Sequence, residues 1–389
     1  MDKIGLYIHV PFCVSKCPYC DFYSLPLQDE TRLDTYTTAL MRCMEDWAEK
    51  GDWQADTLYF GGGTPSLLGG RRLERLIGHA DALFGLLAAP RPEITLEANP
   101  ADDLADTLAA FAGAGGNRLS LGMQSVCQEE LSGLGRRHVS ADVARTIADA
   151  HRAGLDNVSV DMMLGISGQT QESVIATARQ AADWGATHVS AYLLKIEPHT
   201  LYGKCPPPLP DDDIAATLYL TAMETLERLG YRQYEISNLA RPGQESRHNL
   251  KYWNGQPYLG LGPAASSFLQ GRRFSYPRDL TGFLAGSQPV EETDTDMPAG
   301  SAEEYALLRL RLTEGLQETA FCARFGKPLP AAWRQRAAAL PAHLVQVDEP
   351  RSGLPHLRQV VSFSWLTTGS FSPRKSTFVP FTMYEKRSV

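Results

Sequence analysis

Cys13, Cys17 and Cys20 carry the most specific chemical signal in the chain, a C-x-x-x-C-x-x-C spacing within GLYIHVPFCVSKCPYCDFYS. No obvious fourth ligand stands beside these three thiols. Structural zinc closes on four ligands, so zinc fits this set poorly. A cubane [4Fe–4S] cluster held by three cysteines fits better, because it leaves one iron open for something else. Iron–sulfur is the strongest reading, with zinc and unrelated thiols as alternatives. Cys43 shares a helical stripe with Leu33, Tyr36, Leu40, Met44 and Trp47 and reads as packing. Cys127, Cys205 and Cys322 stand alone and read the same way.

A second constellation consists of Glu97, Gln124, Arg136 and Asp161. A carboxylate inside an apolar run such as NVSVDMML is costly unless paired or bonded to a ligand. An internal salt bridge with Arg136 would satisfy it. So would a small polar guest: carboxylates suit an ammonium and ribose hydroxyls, and a guanidinium fork suits a carboxylate. The run GGGTPS, Gly61 to Ser66, lacks the lysine of a nucleotide-binding loop. Its glycines let the backbone come close to a ligand and offer bare N–H and C=O groups.

The elements that would position these residues alternate in type. Strands are expected over 5–10, 55–60, 93–99, 118–125, 157–164 and 188–194. Helices are expected over 29–49, 70–86, 101–114, 139–153 and 170–184. Such alternation implies right-handed crossovers and a parallel sheet. Six units fall short of a closed eightfold barrel, so the expected fold is α/β, an open partial (β/α)6 barrel. Its chemistry belongs beyond the C-terminal strand ends. The cysteines follow the first strand, the glycines the second, and Glu97, Gln124 and Asp161 fall on the next three.

The barrel is expected over residues 1–205. CPPPLPDDD then reads as a rigid polar linker. Residues 206–300 read as a barrel extension: a helix over 213–229, a short strand QYEIS and an ordered loop rich in Gly, Pro and aromatics. Residues 301–389 read as a small, mostly helical C-terminal domain opened by a helix over 301–316. Its basic final segment, with Glu385 as sole acid, reads as solvated.

Composition narrows the function. The 389 residues are 43% hydrophobic, ample for a large core, and the net charge of −8 argues against generic nucleic-acid binding. No apolar run is long enough for a membrane span, and the N-terminus has no secretory leader. Seven cysteines, three of them clustered, fit a reducing cytoplasm.

The cysteine spacing, with Tyr19 before the third cysteine, resembles the radical S-adenosylmethionine superfamily. YIHVPFCVSKCPYCDFYS, YFGGGTPS, EITLEANP, NRLSLGMQS, LGRRH, DMMLGISGQT and RHNLKYW are similar to its coproporphyrinogen dehydrogenase-like branch. The resemblance covers residues 4 to about 330. It implies that Cys13, Cys17 and Cys20 hold a [4Fe–4S] cluster whose open iron is chelated by S-adenosylmethionine. It further implies that Tyr7, Tyr19, Gly62, Gly63, Thr64, Glu97, Gln124, Arg136 and Asp161 contact that cofactor. Ser167 departs from a usual Pro and Val126 from a usual aromatic; both are loop-packing positions.

Within the branch, the coproporphyrinogen dehydrogenases carry a further Cys two residues past the third and a longer N-terminal arm. Here that position is Phe22, and twelve residues precede Cys13. His248-Asn249-Leu250-Lys251-Tyr252-Trp253 instead resembles the H-N-x-x-Y-W signature of HemW-type haem chaperones. That resemblance implies haem as cargo and haem-accepting respiratory proteins as partners. It places haem contacts at His248, Asn249, Tyr252 and Trp253. It is also compatible with peripheral membrane contact and with a monomer–dimer equilibrium. Imidazole is a usual axial ligand of haem iron, Trp and Tyr offer flat faces, and Arg247 and Lys251 suit propionates. A hydrogen-bonded His248 in a packed loop is the plainer alternative. His9, His138 and Lys195 lie close enough to line the same site. The competing function is oxidative decarboxylation of coproporphyrinogen III.

Overall fold

The computed structural model describes residues 2–100, 102–294, 297–341, 345–348 and 356–359. Apart from 356–359, the basic final segment lies outside them. The first strand, β1 (Asp2–Val10), is buried from Ile4 onward. A run of that kind suits a parallel sheet covered on both faces. Beside it lie β2 (Trp53–Gly62), β3 (Glu93–Ala98), β4 (Arg118–Gln124), β5 (Asn157–Leu164) and β6 (His188–Leu193). These six are parallel neighbours in that order, as the alternation predicts. Helices α1 (Thr31–Ala48), α2 (Gly69–Phe84) and α3 (Ala105–Gly113) follow the first three strands. Helices α4 (Ser140–Arg152) and α5 (Gln171–Asp183) follow the next two. The α1 stripe of Leu33, Tyr36, Leu40, Cys43, Met44 and Trp47 is buried, so Cys43 is the packing residue its spacing indicates.

The sheet extends past both ends of this set, which keeps the barrel open. On the β6 side, β7 (Arg232–Gln233) and β8 (Asn238–Ala240) form a hairpin antiparallel to β6. The expected strand QYEIS is therefore mostly the turn of that hairpin. On the β1 side, β9 (Tyr258–Leu261) runs parallel to β1, followed by antiparallel β10 (Ser266–Leu269), β11 (Arg272–Ser275) and β12 (Val290–Glu291). The stretch expected as an ordered loop thus carries strands. Each is four residues or fewer, too short to show a period in the sequence.

RHNLKYW is helical as well, α7 (Arg247–Trp253), after α6 (Asp212–Arg228). Ser246 accepts from Asn249 N at 3.4 Å to start α7. The Asp211 carboxylate accepts from Ile214 N at 2.8 Å to start α6. Caps of this kind satisfy amides that have no partner within the helix.

The C-terminal region has its own small core around Tyr305, Leu316, Phe321 and Leu329. Helices Ala302–Leu310, Glu318–Phe325 and Ala331–Ala339 pack with a three-stranded antiparallel sheet. The helix expected over 301–316 ends at Leu310, six residues early. Arg311 leaves it to meet Glu235 in the β7–β8 turn, Nη2 to Oε2 3.3 Å. Glu235 is 0% exposed, and the Arg311 guanidinium also lies 4.2 Å over the Trp253 ring.

Removing one partner of a buried ion pair strands the other. Glu235→Ala is therefore expected to destabilise the chain by about 3–5 kcal/mol. Urea unfolding of the apo-chain measures this, and a loss below about 1 kcal/mol would contradict it.

Candidate functional site

The cysteine loop is closed at its base by backbone pairing. Leu25 N donates to Pro11 O at 2.8 Å and Leu27 N to Cys13 O at 2.9 Å. Phe12, fully buried, anchors the entry. His9 Nε2 meets Tyr23 O at 2.8 Å and ties the far side of the loop to β1. The three cysteines are half-buried. Thr64 Oγ1 donates towards Cys13 Sγ at 3.6 Å, and Arg136 Nη1 towards Cys17 Sγ at 3.5 Å. Burial pushes the Cys13 thiol up and the Cys20 thiol up to about 11, with Cys17 adding repulsion in both cases. Among the described residues no three His, Cys, Asp or Glu are already gathered for a metal. The donor set still fits an iron–sulfur cluster: three neighbouring sulfurs that gain from a cationic centre, with cationic and hydroxyl donors aimed at two of them.

The glycine loop fits against this one. Gly63 N donates to Val10 O at 2.8 Å and Thr64 N to Phe12 O at 2.7 Å. A Cβ on Gly63 would stand 2.5 Å from Phe12 O, and one on Gly62, at φ +110°, 2.7 Å from the His9 ring. Close backbone approach is thus used at least partly between two loops of the protein. The Gly62 amide turns inward and donates to Glu97 Oε2 at 3.1 Å.

Glu97 ends β3, and its Oε1 accepts from Tyr59 OH at 2.8 Å. Burial raises its carboxyl to about 7, and the nearby Asp161 carboxylate adds to the rise. Burial likewise raises Asp161 to about 6, against the Tyr192 and Ser190 hydroxyls and the charges of Arg136 and Arg118. Gln124 ends β4 at φ +68°, a left-handed conformation rare for a side chain with a Cβ, and its buried Oε1 has no partner. Arg136 gives Nη2 to Gly122 O at 2.6 Å, while its buried Nε has no partner. Two unsatisfied groups on side chains that both approach Gly122, beside two carboxyls that would ionise more readily near a cation, fit an aminoacyl nucleoside with a sulfonium.

Other expected residues lie deeper. Tyr7 is buried, stacks on Tyr59 with centroids 6.1 Å apart, and its OH meets His9 Nδ1 at 3.1 Å. Tyr19 is half-buried against Tyr202, and burial raises its phenol. His138 Nε2 meets Met123 O at 2.9 Å, and burial lowers its imidazole to about 4, as it does that of His9. Lys195 pairs with Glu197 at 2.9 Å.

The H-N-x-x-Y-W residues form an internal network. His248 is 1% exposed, with Nδ1 at 2.8 Å from Thr57 Oγ1 and Nε2 at 2.8 Å from Tyr252 OH. Burial lowers its imidazole to about 3. Both Glu93 oxygens cap the start of α7, accepting from Arg247 N and His248 N at 2.8 Å each. Lys251 Nζ pairs with Asp56 at 2.7 Å. Tyr252 packs edge-on against Tyr258, and Trp253 lies under Arg311. Asn249 is half-buried and Arg247 exposed. This arrangement matches the plainer alternative: neither ring nitrogen of His248 faces an open site, and Lys251 already has an anion.

The His248 ring also stacks on Tyr59 at 5.2 Å, the tyrosine that donates to Glu97. Sequence reasoning missed Tyr59, Thr57, Glu93 and Arg118. Arg118 sits fully buried in β4, yet RLSLGMQS gave it no signal beyond one charge at a strand start.

The profile described as "Radical SAM superfamily" matches residues 7–181. Escherichia coli K12 "Heme chaperone HemW" is 38% identical over 335 residues, 84% of this chain and 87% of the relative. The Bacillus subtilis 168 protein of that name is 33% identical over 332 residues, 83% and 87%. The chain belongs to the HemW family of radical SAM proteins. A solved structure of E. coli coproporphyrinogen III oxidase (HemN) superposes with a TM-score of 0.77 at 20% identity, covering 92% of this chain and 86% of that one. It shows that this chain shares the oxidase's fold.

Glu97 yields a pH prediction for the apo-protein of this HemW-family chain. Its usual value is 4.5 and its folded value about 7, so the folded state holds the proton more tightly. The contribution of Glu97 to stability therefore falls as pH rises from about 4.5 to about 7. The wild-type urea midpoint, measured against that of Glu97→Gln, should decline across that window. Parallel curves would show that Glu97 is not the group responsible.

Proposed function

We propose that this chain is a haem chaperone built on a radical SAM scaffold. In this reading it binds haem and passes it to acceptor proteins such as respiratory enzymes. Cys13, Cys17 and Cys20 would hold a [4Fe–4S] cluster, which leaves an iron for the amino and carboxylate groups of S-adenosylmethionine and supplies one-electron chemistry when bound. Glu97 and Asp161 would take the cationic and hydroxyl groups of that cofactor, and Arg136 and Gln124 its remaining polar groups. Tyr59 would hold Glu97 in place, with His248 stacked behind it. The H-N-x-x-Y-W helix then supports the cofactor end of the barrel from within.

The observation that carries the choice of chaperone over oxidase is the extent of likeness. The E. coli and B. subtilis relatives span over four-fifths of this chain, and both are named haem chaperones. Phe22, where the oxidase relatives would carry a further cysteine, agrees with it. No helix among the described residues is long and apolar enough to cross a membrane.

The test is anoxic purification with reconstituted iron and sulfide. Added haem should give a stable complex with a shifted Soret band. Coproporphyrinogen III with S-adenosylmethionine should give no protoporphyrinogen. Product at enzymatic rates would replace the chaperone reading with the oxidase. Cys17→Ser should lose the brown cluster absorbance while the chain stays folded by circular dichroism; full iron content in that variant would refute the three-cysteine site.

A further inference from the structure

Arg118 is a guanidinium shut inside the barrel, 1% exposed. The other buried arginines among the described residues each hold a carboxylate. Arg273 meets Glu304 at 3.0 Å, Arg309 meets Glu314 at 2.8 Å and Arg311 meets Glu235 at 3.3 Å. Arg118 forms no such pair among the described residues, and its buried Nε has no hydrogen-bond partner. A buried cation left in this state is costly unless charge near it compensates.

The strand register says what lies near. Arg118 on β4 stands opposite Thr95 on β3 and Asn157 on β5, and Thr95 stands opposite Tyr59 on β2. Side chains return to one face of a strand every second residue, an advance of about 6.6 Å. Glu97 therefore lies on the Arg118 face one step towards the barrel mouth, and Asp161 two steps. Burial raises both carboxyls, and the Arg118 charge opposes that rise in each. The remaining titratable neighbours are uncharged. Burial keeps the Tyr59, Tyr192 and Tyr234 phenols protonated, and it keeps the His188 and His248 imidazoles neutral, with Arg118 adding to the effect on both. Arg136 also faces Asp161, but its two terminal nitrogens are turned to Gly122 O and Cys17 Sγ. On the α7 side, Glu93 is taken by backbone amides and Lys251 by Asp56.

Two ionised carboxylates above Arg118 leave one net negative charge at the mouth. A guest with a single positive charge, such as a sulfonium, brings that group to neutrality. A neutral guest leaves a charge uncompensated in a low-dielectric interior. We propose that Arg118 is a positioning residue for the cofactor, a fixed counter-charge beneath Glu97 and Asp161 that lets both ionise around a monocationic guest. The proposal rests on the reading of this site as one for S-adenosylmethionine. Arg118 acts through the two carboxylates and not by contact with the guest.

The test is equilibrium dialysis of S-adenosylmethionine against the reconstituted chain at a series of pH values, with the cluster kept oxidised so that no electron reaches the sulfonium. Wild-type affinity should fall on acidification, as the carboxylates take up protons. Removing the cation makes them hold protons more tightly, so Arg118→Gln should move the midpoint of that fall upward by about one pH unit. Below both midpoints it should then bind roughly tenfold more weakly than wild type. Arg118→Lys, which keeps the charge, should keep the wild-type midpoint. An unmoved midpoint in Arg118→Gln, or an equal shift in both variants, overturns the proposal while the cofactor reading stands. Wild type that binds no S-adenosylmethionine removes both. If Arg118→Gln folds too poorly for dialysis, urea unfolding of the apo-chain at mildly alkaline pH decides. Glu97→Gln/Arg118→Gln, which loses one charge of each sign, should unfold at higher urea than Arg118→Gln. A pair variant no more stable than Arg118→Gln overturns the proposal.

Discussion

The hydrogen bond from Tyr59 to Glu97 is the junction at which the parts of this molecule meet. Tyr59 belongs to β2, inside the sheet, and Glu97 to the end of β3, at the barrel mouth. The Tyr59 ring packs against both Tyr7 of β1 and His248 of α7, which also touch each other. Glu97 in turn accepts from Gly62, whose loop is pinned to the backbone around the cysteines. One carboxylate therefore senses the first strand, the glycine loop and the H-N-x-x-Y-W helix together. A buried carboxylate tolerates so few arrangements that each of these neighbours is constrained by it.

The barrel mouth holds polar groups that the protein itself satisfies only partly. Glu97 and Asp161 are pushed towards neutrality by burial, while Gln124 and Arg136 each keep a buried atom without a partner. In a closed core such groups would be a liability. At these strand ends they are the groups left with hydrogen-bonding capacity to spare. The H-N-x-x-Y-W network is the opposite case. His248, Tyr252, Thr57, Glu93, Lys251 and Asp56 satisfy one another, which is what a supporting element requires.

Much of the fold was legible because it repeats. Six apolar runs alternating with amphipathic stretches imply crossovers and a parallel sheet, and the observed strands and helices begin and end within a few residues of expectation. Strands β7 to β12 were not legible. They are two to four residues long and exist because β1 and β6 leave edges to be paired, a property of the assembled sheet. The C-terminal helix was read six residues too long, since a buried partner for Arg311 cannot be seen from local periodicity.

The sequence by itself determined the chemistry available: three spaced thiols, a glycine loop and acids at successive strand ends, because residue type and spacing are local facts. It also determined the family, because those motifs occur together and in order. Which of these groups face an opening was decided by tertiary structure alone. His248 looked like a ligand beside aromatic rings, and packing turned it into a doubly hydrogen-bonded core residue. Phe22 looked like a residue that separates two branches of the family, and packing set it on the wall of a cavity of about 610 Å³. Burial and hydrogen-bond satisfaction depend on residues far apart in the chain, as Thr57 and His248 are, and become defined when the sheet brings them together.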